Sequence, residues 1–291
     1  MAAPWLSLRE AVALGLLQGP TELLPVSSSA HTELLPWLAG WRYAGLDADA
    51  RKTFEVALHG GAGLALALDM RRELLSHAAR LDVRHAAVIV LSLAPPALAG
   101  YVFERPIERR LGGPAPIAAG LLAGALALAA ADAGTRRLER SADDAGPLDG
   151  LALGLAQAAA LAPGISRSGA TLAAARMRGF RRRDAHALSW HAALPVILGA
   201  CTLKAVRSWR SRAASAETRA GTAAAGLAPA PVALGALGAF ASTLASGRAL
   251  RAVRASERSL LPYAVYRCVL AALVIARMLA GRSANAPSPS P

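Results

Sequence analysis

Long apolar stretches alternate with short charged segments along almost the whole chain. They cover approximately residues 11–26, 54–70, 86–103, 115–131, 148–163, 185–206, 224–246 and 260–281. A helix needs roughly 20 apolar residues to cross the hydrocarbon core of a bilayer, and most of these stretches approach that length. The pattern predicts an all-α polytopic membrane protein with a single membrane domain over residues 1–281.

The first and fifth stretches differ from the others because proline, glycine and serine interrupt them. Irregular backbone is tolerated at membrane depth only where it is buried in protein or lines a wet cavity. We therefore expect two pairs of re-entrant or broken helices, one pair in each half of the chain, beside the spanning helices.

The two interrupted stretches are also related to each other in sequence. A shift of 139 positions aligns them without a gap and pairs Gln18 with Gln157. Interrupted apolar segments at matching positions in two halves point to a binding site at the interface between repeats. We predict repeat 1 at approximately 1–131 and repeat 2 at approximately 148–281, with a site built from residues 18–32 and 157–171.

Two further segments have the composition of irregular chain. Residues 211–231 are rich in alanine, glycine and proline and are predicted to form a low-complexity loop. Residues 282–291 are predicted to be a disordered tail. Neither segment is expected to carry chemistry.

Composition and charge restrict the partners. Of the 291 residues, 54% are hydrophobic, the mean hydropathy is +0.37, and the formal net charge is +13. A charge of this size is also found in nucleic-acid-binding domains. Here the arginines fall mostly between apolar stretches, as in loops that meet anionic headgroups. Without a basic groove and interleaved aromatic residues, we expect a membrane as partner and no nucleic acid.

The first interrupted segment reads QGPTELLPVSSSAH at residues 18–31. Gln18 and Glu22 are four residues apart, so on a helix they share a face and could present oxygens to one cation. Ser28 and His31 are three residues apart, which would allow the imidazole to act as a base on the hydroxyl. A charged residue such as Glu22 is expensive inside a membrane segment, so a functional role is the default interpretation.

Simpler structural interpretations stay open for some of these residues. A serine after a proline is often only a helix N-cap, and Ser27 could have that role alone. A single histidine in an apolar segment is more often a hydrogen-bonded core residue than a catalyst. We apply that interpretation to His59 and His191.

The second interrupted segment reads PGISRSGAT at residues 163–171. The Pro-Gly pair frees the backbone, and the helix that follows begins with N–H groups that have no intrahelical acceptor. Arg167 adds a planar guanidinium that can bind two phosphate oxygens at once. The segment therefore predicts a phosphate-binding site. Its residues are Ser166, Arg167, Ser168, Gly169 and Thr171, together with Ser27 of the first interrupted segment.

These two segments resemble the signature motifs of the undecaprenyl-diphosphate phosphatase (bacitracin-resistance) family. The similarity continues through TFEV at 53–56, RR at 71–72, LPVILGA at 194–200 and PYAVYR at 262–267. The resemblance implies an inverted-topology repeat, a homodimer, and a cavity open to the outer face of the bacterial plasma membrane. It also implies a divalent cation, Ca²⁺ or Mg²⁺, and phosphate release from a C55 polyprenyl diphosphate.

By position, the resemblance implies roles for four residues. Glu22 is the acidic residue, Ser28 the nucleophile, His31 the acid or base, and Arg167 the phosphate clamp. Gln18 stands where many members carry a second glutamate, which puts cation affinity in question. We hypothesise that Glu33, just past His31, restores the missing negative charge.

Two other functions stay open at this stage. Repeats with broken helices are typical of carriers, so the chain could transport or flip a polyprenyl phosphate. The loss of a glutamate at Gln18 could also mark a catalytically weakened homologue that binds the lipid diphosphate. A carrier does not need the Ser28–His31 pair, and turnover with added metal would separate an enzyme from a weakened homologue.

Overall fold

A computed structural model describes residues 6–78, 82–134, 140–218, 227–251 and 257–284. The described residues are overwhelmingly helical, and their only extended pairing is one isolated bridge between Arg140 and Phe180. The helices are α1 (Leu8–Leu23), α2 (Ser28–Ala39), α3 (Ala48–Asp69), α4 (Arg71–Ala78), α5 (Val83–Leu111), α6 (Pro114–Gly134), α7 (Pro147–Ala159), α8 (Arg167–Met177), α9 (Arg182–Thr218), α10 (Pro229–Ala249) and α11 (Leu261–Ala284).

Four of these helices are long and apolar enough to cross a membrane. The candidate spans lie within α5, α6, α10 and α11, at Val83–Phe103, Pro114–Gly134, Pro229–Ala249 and Leu261–Gly281. Large apolar side chains such as Leu98, Leu126 and Leu273 are exposed on them. Such surfaces are stable in lipid, so the prediction of an all-α polytopic membrane protein is confirmed.

The two interrupted stretches each form two short helices joined by irregular backbone. The first stretch gives α1 and α2, and the second gives α7 and α8. Corresponding helices begin 139 positions apart, at 8 and 147 and at 28 and 167. The predicted breaks are therefore present, and both second helices start directly after a serine with an unusual backbone conformation.

Each broken pair packs against a span from the other half of the chain. Helix α1 lies along α10, and α7 lies along α5. Close approach depends on glycine: a Cβ on Gly15 would lie 2.5 Å from the Gly235 carbonyl oxygen, and one on Gly154 would lie 2.8 Å from Pro95 Cγ. Each half of the chain therefore supplies the span against which the broken pair of the other half packs. As a result, neither half can bury its broken pair alone.

An acidic residue in the first turn of each pair ties down the chain that follows the pair. Glu10 accepts hydrogen bonds from the backbone N–H groups of Arg42 and Tyr43, just after α2. Asp149, 139 positions later, forms ion pairs with Arg140 and with Arg178, the residue at the end of α8. These contacts hold the open ends of the two helix pairs together.

Two sequence predictions about irregular chain require correction. The loop predicted at 211–231 is helical at both ends, because α9 continues to Thr218 and α10 begins at Pro229, and residues 219–226 lie outside the described residues. Alanine favours helix strongly enough to extend α9 into the alanine-rich segment. Helix α11 likewise continues to Ala284, and the rest of the predicted tail, 285–291, lies outside the described residues.

The Asp149 clamp predicts acid sensitivity. Burial would raise the pKa of Asp149, but hydrogen bonds from Arg140, the Gly146 N–H and Arg178 outweigh burial and lower the pKa to about 2. Because this pKa lies below that of the unfolded chain, the stabilisation is present above about pH 4 and is lost as the pH falls towards 2. We expect Asp149→Asn to lower the free energy of unfolding at pH 7 by roughly 2 kcal/mol.

The measurement is the thermal unfolding midpoint of the purified protein in detergent between pH 7 and pH 2. The variant should also show a flatter decline of stability below pH 4 than the unmodified protein. Asp143→Asn, which changes an exposed carboxylate six residues before Asp149, serves as the control and should keep the original decline. An unchanged pH dependence in Asp149→Asn would contradict the prediction.

Candidate active site

The candidate site lies where the two helix breaks meet, around the carboxylate of Glu22. One oxygen of Glu22 is 2.6 Å from Arg167 Nη2, and the other accepts a hydrogen bond of 2.7 Å from the Ser28 hydroxyl. Glu22 is buried, whereas Ser28 and Arg167 are partly accessible. An acid, a hydroxyl and a guanidinium from two distant segments therefore converge at one point.

Helix starts explain why these side chains meet. Ser28 is the first residue of α2 and Arg167 is the first residue of α8. The two residues occupy corresponding positions, 139 apart, and both approach the carboxylate near the end of α1. The backbone N–H groups in the first turns of α2 and α8 have no intrahelical acceptor, which makes both helix starts favourable for an anion.

The residues before these helices hold a strained conformation. Ser27 and Ser166 have φ values of 75° and 69°, which non-glycine residues rarely adopt and which costs about 1–3 kcal/mol each. Their hydroxyls cap the helices by accepting from the N–H groups of Ala30 and Gly169. Ser27 and Ser166 are thus N-caps, the simpler role left open for Ser27.

Arg267 holds both breaks in place. Its buried guanidinium donates to the carbonyl oxygens of Pro25 in the first break and of Gly164 and Ile165 in the second. It also donates to the α6 carbonyls of Gly120 and Leu121. One side chain on α11 therefore satisfies the exposed backbone acceptors of both broken segments.

Gln18 and His59 surround the second oxygen of Glu22. The Gln18 amide nitrogen lies 3.3 Å from this oxygen, and His59 Nε2 lies 3.7 Å from it. His59 Nδ1 lies 2.9 Å from the Glu55 carbonyl, so that nitrogen carries a proton and donates it. Among the described residues, the buried Gln18 Oε1 has no hydrogen-bond partner.

The predicted pairing of Ser28 with His31 is wrong. The Ser28 hydroxyl bonds to Glu22, and both nitrogens of His31 have other partners. His31 Nδ1 lies 2.7 Å from the Ser27 carbonyl, and Nε2 lies 2.6 Å from the hydroxyl of Tyr266. The strained turn at Ser27 directs the imidazole along α2 towards α11, away from the serine three residues earlier.

The other residues assigned to phosphate binding take part in structural contacts. The Ser168 hydroxyl donates to the Leu24 carbonyl in the first break. The Gly169 N–H donates to the Ser166 hydroxyl, and a Cβ on Gly169 would lie 2.9 Å from Arg267 Nη1. Thr171 is fully buried and bonds within α8 and to Ser189, so its geometry does not support phosphate binding. Of the predicted set, Arg167 has the accessible guanidinium beside Glu22.

Comparison with known proteins identifies a family with similar sequences. A profile described as "Bacitracin resistance protein BacA" matches residues 11–273. The chain belongs to this family. A Pelobacter propionicus relative named undecaprenyl-diphosphatase is 35% identical over 96% of this chain and all of its own length. A Geobacter metallireducens relative with the same name is 41% identical over 67% of this chain and 74% of its own length.

Within the framework of the BacA family, the hypothesis about Glu33 needs correction. Glu33 forms an ion pair with Arg51, at 2.9 Å, on the face between α2 and α3. Its negative charge is already balanced there. Glu33 therefore does not replace the carboxylate that is missing at Gln18.

Sequence reasoning missed three residues of the site. His59 was assigned to the core as a single histidine in an apolar segment, and its neighbour Glu22 lies on another helix. Tyr266 and Arg267 lie in the PYAVYR motif, which contributed to the family resemblance but received no role. Their partners are more than 100 residues away in sequence, so no local pattern could indicate them.

The Arg267 contacts predict a sharp difference between two arginines of α11. Arg267→Lys should lower the free energy of unfolding by about 3 kcal/mol, because one ammonium cannot reach carbonyls on three segments and leaves several unsatisfied. Arg277→Lys changes an exposed arginine on the same helix and should have little effect. Thermal unfolding in detergent measures both, and equal midpoints would contradict the assigned role.

Proposed function

We propose that this protein hydrolyses undecaprenyl diphosphate to undecaprenyl phosphate and inorganic phosphate, and so confers bacitracin resistance. Family membership supports the reaction, and relatives that match most of the chain are named undecaprenyl-diphosphatase. The observation that carries the proposal is the contact of one carboxylate, Glu22, with both the Ser28 hydroxyl and the Arg167 guanidinium. A lipid substrate also fits the large apolar surfaces of the spans.

Arg167 and the two helix starts would hold the terminal phosphate. The guanidinium is ion-paired with Glu22, and a phosphate with two negative charges would compete for it. The N-termini of α2 and α8 add partial positive charge on the same side. Phosphoryl transfer depends mainly on such positioning and charge stabilisation.

Ser28 is the proposed nucleophile and Glu22 the acceptor of its proton. Ser28 Oγ would form a bond to the terminal phosphorus while the bridging P–O bond breaks and undecaprenyl phosphate leaves. The hydroxyl proton would pass to Glu22, to which it is already hydrogen-bonded. Water would then attack the phosphorus, the P–Oγ bond would break, and Ser28 Oγ would regain a proton as inorganic phosphate leaves. In the alternative route, Ser28 orients a water molecule that attacks directly.

A divalent cation, Ca²⁺ or Mg²⁺, fits the chemistry of the same site. Among the described residues no cluster of three or more His, Cys, Asp or Glu forms a ready metal site. Glu22 and the unpartnered Gln18 Oε1 supply oxygen ligands, with His59 Nε2 as a neighbouring nitrogen. When bound, the cation would neutralise charge on phosphate oxygens.

Family membership also supports proposals about location and assembly. We place the protein in the bacterial plasma membrane with its active site towards the outer face. The inverted arrangement of the two repeats and a homodimer are proposed on the same ground. Accessibility of a cysteine introduced at exposed Arg110 to a membrane-impermeant reagent would report the orientation of the α5 end.

The reaction predicts loss of turnover in variants of the central contacts. Phosphate release from undecaprenyl diphosphate is measured with purified full-length protein in detergent, with and without Ca²⁺ or Mg²⁺. Arg167→Ala and Ser28→Ala should each reduce kcat by about 100-fold or more, because each removes a group that stabilises or attacks the phosphate. Arg110→Ala and Ser76→Ala, both at exposed positions, are the matched controls.

Other outcomes would identify the competing functions. Wild-type protein that binds the lipid but releases no phosphate would favour the transporter or flippase, which the interlocked broken helices suit equally well. Turnover near background at saturating metal would favour a weakened lipid-diphosphate-binding homologue. Full activity in Ser28→Ala would exclude Ser28 both as the nucleophile and as the group that orients the attacking water.

Gln18 predicts weak cation binding. Gln18→Glu should lower the cation concentration for half-maximal effect by roughly tenfold, because it places a second negative ligand beside Glu22. Gln18→Leu should raise this cation concentration, because it removes the Gln18 oxygen. The concentration dependence of thermal stabilisation by Ca²⁺ provides a readout independent of activity, and identical titrations for all three proteins would rule out Gln18 as a ligand.

A further inference from the structure

His31 is held at both ring nitrogens by groups that the proposed reaction does not use. Its side chain is 2% exposed, with Nδ1 2.7 Å from the Ser27 carbonyl and Nε2 2.6 Å from the Tyr266 hydroxyl. The His31 and Tyr266 rings are parallel within 3°, with centroids 5.6 Å apart. The two rings are therefore parallel and joined by the short hydrogen bond.

Hydrogen-bond chemistry determines which proton lies where. The Ser27 carbonyl can only accept, so His31 Nδ1 must carry a proton. In the neutral imidazole, Nε2 is then an unprotonated acceptor, and Tyr266 must donate its hydroxyl proton to it. The pair selects one tautomer and one ring orientation for His31.

Tyr266 lies next to the residue that anchors α11 to the helix breaks. It precedes Arg267, whose guanidinium is hydrogen-bonded to both helix breaks. The backbone of α11 is thereby held beside the first break, and the Tyr266 hydroxyl contacts His31 just after the turn at Ser27. Tyr266 is 46% exposed, so it lies between the buried imidazole and the accessible face of the protein.

We propose that Tyr266 is a positioning residue that holds the His31 ring in one orientation and hydrogen-bonds to Nε2 of the tautomer that the Ser27 carbonyl selects. With Ser28 bonded to Glu22, His31 is available for the later step in which water releases the phosphate. Proton uptake by His31 takes place at Nε2, and the Tyr266 hydroxyl then becomes the acceptor of that hydrogen bond. The inference rests on the proposed phosphatase function and on a role for His31 in it.

The kinetic test is a double-mutant cycle in the full-length protein. Tyr266→Phe keeps the ring and removes the hydroxyl, and it should lower kcat by about 10- to 100-fold with KM changed less than about twofold. In a His31→Ala background, Tyr266→Phe should cause no further loss, because it acts only through His31. Tyr263→Phe, one turn earlier on α11, is the matched control and should keep normal turnover.

Two kinetic results would overturn the proposal. Turnover of Tyr266→Phe equal to that of Tyr263→Phe would show that the hydroxyl is dispensable. An equal further loss in the His31→Ala background would show that Tyr266 acts independently of His31.

A spectroscopic measurement separates failure of this inference from failure of the proposed function. ¹⁵N NMR of histidine-labelled protein, with His31→Ala to assign the signal, should show the Nδ1-protonated tautomer of His31. Tyr266→Phe should shift the Nε2 resonance or mix the tautomers, even if no phosphate is released by any form. An unchanged His31 spectrum in Tyr266→Phe would refute positioning whatever the activity.

Discussion

Broken helices leave backbone carbonyl oxygens without intrahelical partners in the interior of the protein. An unsatisfied acceptor there costs on the order of 1–3 kcal/mol, and this fold contains two such breaks. Arg267 meets the constraint with one buried guanidinium that reaches the carbonyls of Pro25, Gly164 and Ile165. The same contacts fix the distance between the breaks, on which the geometry of the site depends.

The two arginines near the helix breaks differ in the charge of their partners. The hydrogen-bond acceptors around the Arg267 guanidinium are neutral carbonyl oxygens. Arg167 Nη2, in contrast, lies 2.6 Å from a carboxylate oxygen of Glu22. Of these two arginines, Arg167 is therefore the one paired with a carboxylate that a more highly charged phosphate could displace. Displacement would leave Glu22 free to take the proton of Ser28, so binding of the substrate and activation of the nucleophile are coupled through one carboxylate.

The helix pairs show how a repeat builds an asymmetric site. Ser28 and Arg167 occupy equivalent positions at the starts of α2 and α8. Both contact Glu22, whose equivalent in the second half is Leu161. The matching helix pairs thus bring two helix starts together, and the residue at the first helical position makes one start contribute the hydroxyl and the other the guanidinium.

Sequence alone was sufficient for the architecture and for the residues that meet at the centre of the site. Apolar stretches of membrane length, the two interruptions and the shift of 139 positions predicted spans and broken helices, since hydropathy and Pro-Gly punctuation act locally. Glu22, Ser28 and Arg167 were also chosen correctly as neighbours, because a charge or hydroxyl inside an apolar segment needs a partner.

Tertiary structure decided which groups actually pair. His31 was expected to contact Ser28 from helical spacing, but a side chain at a strained helix start is directed by the turn at Ser27 and by Tyr266, 235 residues away. His59 approached Glu22 through the packing of α3, which no local pattern reports. The sequence by itself determined the helices, the breaks and the chemical groups available. Only the packing of distant helices decided their partners, because hydrogen bonds in the site join segments that are remote in the chain.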